Sequence, residues 1–367
     1  MKHSGLSYVS SAVLKRGSAQ AVQILSMAQA FGQLLADRFM LVSCACDAAP
    51  ELSRHFQWHR IPCRFQSRSP RYVELGIRVA VEYGGFRGRN VFTRDVGIAA
   101  LLHALGARVV YEMHHDFKTR VGASIFRQLR DRIRFVAISS ALKQYMVEQL
   151  GVQQSRILVA HDGVFLERYD VLRATCRKEL RSQLGIPEGR FVLMHTGSLY
   201  RGRGIELFEA VLRAVPEALC VSVGGNEADI SRWRTHYAHY QNMLFFPHQP
   251  QDRLVQFQMV ADALFFPMTK DSPIWWCTSP LKLFEYLATG VPIIGSAIGG
   301  AAEVISDCNA VTFDPEDAST LVQAVRWVMQ NPDTARKRAR LGLDAVERDF
   351  TWDMRARRIL DFMDEAV

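Results

Sequence analysis

Apolar residues along this chain come in short unbroken runs, each followed by a glycine- or serine-bearing turn and then by residues at helical spacing. Residues 6–13 form the first run, 15–20 the turn (with Gly17), and 21–35 a helix by periodicity. Further apolar runs fall at 39–46, 91–94, 109–115, 135–140 and 157–164. A helix follows at 97–105, and another from Ala141, with Ser139 or Ser140 placed to cap it. The stretch 48–71 breaks this rhythm. Aromatic and basic side chains crowd it (Phe56, Trp58, His59, Arg60, Arg64, Phe65, Arg68, Arg71), and it reads as loop-rich.

After a charged, helical segment at 167–189 the pattern restarts. Residues 191–198 are an apolar run, Arg201, Gly202, Arg203 and Gly204 lie in a turn, and a helix begins at Ile205. Apolar runs at 219–223, 244–249, 263–267, 293–294 and 310–313 follow, then helices at 318–329 and 354–365, the last with Thr351 as its cap. Strand, turn, helix repeated in this way is the pattern of an α/β fold. Two such series imply two domains, and 367 residues suffice for two cores.

The most distinctive stretch is 279–305, SPLKLFEYLATGVPIIGSAIGGAAEVI. Pro280 suits the first turn of a helix and Gly290 its end. Helix N-termini offer unpaired N–H groups and a partial positive charge, so with Lys282 alongside this is a place to hold a diphosphate. Glu285, one turn in, is placed to accept hydrogen bonds from sugar hydroxyls. The turn with Arg201 and Arg203 adds fixed positive charge near backbone donors.

Composition narrows the class. An apolar fraction of 49% marks a globular chain. Seven scattered cysteines without a C-x-x-C pair favour reduced thiols over a disulfide framework or a zinc site. No window is apolar enough to span a bilayer, and the N-terminal apolar run is short for a signal peptide, so a cytoplasmic protein is expected. The net charge of +8 fits either peripheral contact with an anionic membrane face or a solvated basic surface. No nucleic-acid partner is expected, because the basic residues form no run interleaved with aromatics.

The stretch 279–305 resembles the donor-site signature of retaining, nucleotide-sugar-dependent glycosyltransferases of the GT-B fold, the family-4 (glycosyl transferases group 1) type. The resemblance extends over most of the chain, through YEMHHDF at 111–117 and the final FTWDMRARRIL at 350–360. It implies two Rossmann-like doubly wound domains facing a cleft, with a terminal helix crossing back. The corresponding divisions are 1–166 on the acceptor side, 167–349 for the nucleotide sugar, and 350–367 for the terminal helix. By the same resemblance His114 lies near the reacting sugar, with Arg94 and Glu112 in support, while Lys282 and Arg203 neutralise the leaving diphosphate. Gly17, Gly197, Ser198, Arg201, His248, Ser279, Pro280, Leu281 and Glu285 complete the expected donor site. Bland alternatives stand beside these: a structural turn at Gly17, a surface histidine pair at the end of 109–115, and a solvated charge at Arg203.

The expected partners are a UDP-, GDP- or ADP-linked sugar and a glycan or lipid-linked acceptor, with no cofactor and no metal. Two departures from the family pattern appear. Counting back eight residues from Glu285 reaches Cys277, where many members carry a first glutamate, and Ser198 stands where they carry an arginine. They motivate an alternative, a non-catalytic GT-B subunit that binds a nucleotide sugar or a partner enzyme. A weaker third reading is sugar-nucleotide epimerisation.

Overall fold

The computed structural model describes residues 5–14, 18–44, 56–65, 68–82, 87–200 and 202–365. The chain divides into two units, residues 1–162 with 352–367, and residues 163–351. Each is built on one sheet whose paired strands all run parallel.

The first sheet comprises β1 (Leu6–Ser10), β2 (Phe39–Cys44), β3 (Gln57–Ile61), β4 (Asn90–Thr93), β5 (Arg108–Met113), β6 (Arg134–Ala137) and β7 (Ile157–Val159). Its strand order is β3-β2-β1-β4-β5-β6-β7. The second comprises β8 (Phe191–Thr196), β9 (Ala218–Val223), β10 (Met243–Phe246), β11 (Ala263–Phe266), β12 (Ile293–Gly295) and β13 (Val311–Thr312). Its order, β10-β9-β8-β11-β12-β13, repeats the same scheme. Strand order reverses beside β1 in one sheet and beside β8 in the other. Outside the carboxyl ends at such a reversal, ligands have room to bind.

Burial explains the sequence pattern. Strands β1, β9 and β11 are buried at every position, because helices cover both faces of a parallel sheet. The edge strand β10 instead alternates buried and half-buried residues. Helix starts follow capping chemistry: the Ser18 Oγ accepts the Ala21 N–H, and Ser139, rather than Ser140, accepts the Leu142 N–H. The helix Leu281–Thr289 ends at Gly290 in the left-handed conformation. Pro280 is its N-cap rather than a residue of its first turn.

One stretch corrects the sequence reading. Residues 57–61 are β3 and Arg68–Glu82 is a helix, so 48–71 is not simply loop. As an edge strand β3 keeps Gln57 and Arg60 exposed, with Arg60 stacked 4.2 Å over the Trp58 ring. The final helix, Trp352–Asp364, packs on the helix Ala19–Leu35 of the first unit, and Arg134 donates to the Glu365 carbonyl at 2.8 Å. The six cysteines among the described residues are free thiols.

Candidate functional site

The second unit concentrates polar side chains where β8 ends. His195 and Thr196 close that strand, and the backbone turns at Gly197 with φ +126. A Cβ at Gly197 would lie 2.8 Å from both Cε and Nζ of Lys282. The positive φ is what calls for glycine here, and the lysine tip occupies the space a side chain would take. Lys282, in the first turn of Leu281–Thr289, lies across it, with Nζ 2.8 Å from the His195 Nε2. The other ring nitrogen, Nδ1, is 3.1 Å from the Ser222 Oγ on β9.

Electrostatics tune this pair strongly. Burial, then the charges of Lys282 and Arg203, hold His195 well below the ordinary imidazole range, so the ring is neutral. Burial and Arg203 lower Lys282 to about 7, against the pull of Glu285. Arg203 stacks 4.4 Å over the Tyr200 ring, and its Nε is buried without a hydrogen-bond partner among the described residues. Buried donors are normally satisfied, so an orphan marks a place for an acceptor. The helix Leu281–Thr289 likewise starts without a side-chain cap. An ammonium, a guanidinium and a helix N-terminus thus share one pocket of positive potential.

Glu285 is held one turn along by two amides, Gln251 at 2.9 Å and Gln258 at 3.3 Å. Burial raises its pKa even so. Gln258 also donates to the Thr196 Oγ1 at 3.2 Å, and the Tyr286 hydroxyl accepts the Thr196 N–H at 2.7 Å. The carboxylate is thereby fixed relative to the end of β8. Lys282 and Glu285 both keep an opening to solvent.

Other expected site residues fall differently. Ser279 is buried just before Pro280 and Leu281, at the helix start. Ser198 is exposed on the turn after Gly197, and His248 is exposed beyond the edge strand β10, two strands from β8. Gly17 and Arg201 lie outside the described residues. Cys277 is fully buried in the loop before the helix. That loop is clamped by the Gly299–Glu303 turn of 3-10 helix, where a Cβ on Gly300 would collide with the Thr278 carbonyl.

The first unit has its own buried cluster at the carboxyl end of β5. Glu112 is 1% exposed and pairs with Arg355 from the final helix, while the His114 Nε2 lies 3.1 Å away. Gln23 donates to the same carboxylate at 3.1 Å, and Arg94 donates to the Gln23 Oε1 at 2.6 Å. Burial pushes Glu112 up, but Arg355, His114 and Arg94 outweigh it and hold the carboxyl well below its ordinary range. Burial and Arg94 lower His114 to about 4. It is a neutral imidazole at physiological pH. Asp162, also facing Arg355, is raised by burial to about 6.

Residues 177–345 match the family model described as glycosyl transferases group 1. That match covers just under half of the chain. The chain is similar to the D-inositol 3-phosphate glycosyltransferase of Nocardioides sp., 27% identical over 251 residues, which are 62% of this chain and 52% of that protein. The chain spans about half the length of the curated relatives it matches. Two solved structures share the fold. A glycosyltransferase from Rickettsia africae aligns with TM-score 0.81 at 16% identity, covering 99% of this chain and 98% of its own. Anabaena HepE, crystallised with UDP and glucose, aligns with TM-score 0.79 at 16% identity over 99% of this chain and all of its own. The fold is GT-B, with two Rossmann-like parallel-sheet domains.

Within the matched residues 177–345, the motifs gave no sign of His195, Gln251 and Gln258. The only signal for His195 was one imidazole interrupting the apolar run of β8. Outside them they gave no sign of Arg355 and Gln23. Among the described residues no cluster of three or more His, Cys, Asp or Glu is placed to hold a metal ion. None of their helices is long and apolar enough to cross a membrane.

Proposed function

We propose that this protein is a retaining glycosyltransferase that moves a sugar from a nucleotide sugar to a glycan or lipid-linked acceptor. The observation that carries the reading is the pocket over Gly197, where Lys282, the unpaired Arg203 Nε and an uncapped helix N-terminus converge. Negative charge grows on the leaving diphosphate as the glycosidic bond breaks, and preorganised cations there stabilise the transition state more than the ground state. These protein cations take the role a metal has in other transferases. Glu285, held by Gln251 and Gln258, presents its carboxylate to ribose hydroxyls. His114, neutral and held by Glu112, is the sugar-contacting group assigned to the first unit. HepE, a structure of the same fold, was crystallised with UDP and glucose, which supports a nucleotide-sugar donor. The net charge of +8 supports an anionic membrane surface as the place of work.

Incubation with UDP-, GDP- and ADP-sugars, with and without glycan acceptors, tests the proposal. Release of the nucleoside diphosphate with an α-configured product by NMR is expected from α-linked donors. Binding without any turnover or donor hydrolysis would instead favour a non-catalytic nucleotide-sugar-binding subunit.

A further inference from the structure

His195 is a costly residue for its place. It stands next to last in β8, fully buried, on a strand whose preceding residues are all apolar. A polar ring there must find partners on both nitrogens or lose stability. Nδ1 finds the Ser222 Oγ, and Nε2 finds the Lys282 Nζ. A single hydrogen bond joins the two nitrogens. When Lys282 is an ammonium it donates and the imidazole accepts, which places the ring proton on Nδ1, facing Ser222. Both groups cannot be charged at 2.8 Å.

The charges around Lys282 are unbalanced. Arg203 faces it from the loop after β8, His195 from the strand, and Glu285 from its own helix. Glu285 alone attracts, and that carboxylate is already engaged by Gln251 and Gln258, with Arg168 acting on it as well. Because Gly197 has no side chain, the lysine tip can lie directly over the backbone at that turn.

We propose that His195 is a positioning residue that holds Lys282 over Gly197, and that binding of a nucleoside diphosphate there draws one proton from solvent onto the lysine. The proposal rests on the reading of this pocket as the diphosphate site. It deepens that reading by making donor affinity a function of pH. Burial with Arg203 puts the free lysine at about 7, so it is part-protonated near neutrality. A bound diphosphate favours the ammonium. Affinity is therefore highest below that pH and falls as pH rises through it, up to about tenfold per pH unit.

Calorimetry of the full chain with UDP, GDP and ADP, in Hepes and in Tris between pH 6.5 and 8.5, tests this directly. The binding nucleotide should show a buffer-dependent enthalpy equivalent to about half a proton taken up near pH 7 and more above it. In His195→Gln the amide oxygen still accepts from the ammonium, so binding and its pH profile should be kept. His195→Leu offers the lysine no acceptor, and there affinity should fall about tenfold. Tight wild-type binding with the same enthalpy in both buffers and a flat pH profile would overturn the inference and leave the donor-site reading standing. Equal affinity in the wild type and His195→Leu, or loss of binding in a folded His195→Gln, would overturn the role given to His195. Failure of the wild type to bind any of the three nucleotides would overturn both.

Discussion

Arg355 and Glu112 are bound to each other although 243 residues separate them, and both are almost fully buried. Arg355 also donates to the His161 carbonyl at 2.8 Å. The final helix is thus tied by charge, as well as by packing, to the strand end that carries His114. Removing one partner from a buried ion pair leaves the other charged and desolvated, which costs about 3–5 kcal/mol. Arg355→Met should destabilise the first unit by that order in urea unfolding. Adding Glu112→Gln to the same chain should recover a substantial part. Equal stability of wild type and single variant would show that the pair contributes nothing.

Lys282 should weaken the fold it serves. Its folded pKa of about 7 lies below the ordinary 10.5, so between those values the unfolded chain holds a proton that the folded chain releases. Stability carried by this group therefore rises with pH from about 7 to 10.5. Lys282→Met removes the penalty. Because the lysine keeps an opening to solvent, the gain at pH 7 should be modest, about 1–2 kcal/mol, and should shrink toward pH 10. Paired melting curves across that range check the sign.

Glu285→Gln keeps the shape and the hydrogen-bonding reach of the side chain while removing its charge. Burial already disfavours the carboxylate, so the thermal midpoint should change little. Nucleotide affinity should fall about tenfold or more, since hydrogen bonds to a charged group are worth about 1.5–3 kcal/mol. Loss of stability without loss of affinity would assign Glu285 to the core instead.

Gly300→Ala should open the loop that buries Cys277. The new methyl group would strike the Thr278 carbonyl, so one of the two segments must move. The expected result is a destabilisation of roughly 1–3 kcal/mol. Cys277 should then react with a thiol reagent in the folded protein, where the wild-type residue is fully buried. Mass mapping of the labelled cysteine reads this out.

Much of the architecture is legible from apolar runs because the central strands are covered on both faces, leaving few polar residues in them. Ser139 and Gly290 were readable for local reasons, a cap and a left-handed stop. The segment Arg68–Glu82 was not. Leu75 and Val79 are buried while Val73, Ile77 and Val81 are exposed, so apolar residues on two sides of the helix blur its period. At the site, the approach of Lys282 to Gly197 joins two motifs that sequence alone could only name separately. His195 gave little warning, since a single histidine in an apolar strand looks like a satisfied core residue. Arg355 gave none, because its partner is brought to it only by the fold.

Binding of nucleotide sugars to the wild type and to Lys282→Ala, measured side by side by calorimetry, tests the central claim most directly. The wild type should show a clear preference for one nucleotide and the variant a loss of about 100-fold or more, as expected when a largely desolvated charged partner of an anion is removed. Equal affinity in the two proteins would contradict it, and would place the diphosphate somewhere other than over Gly197.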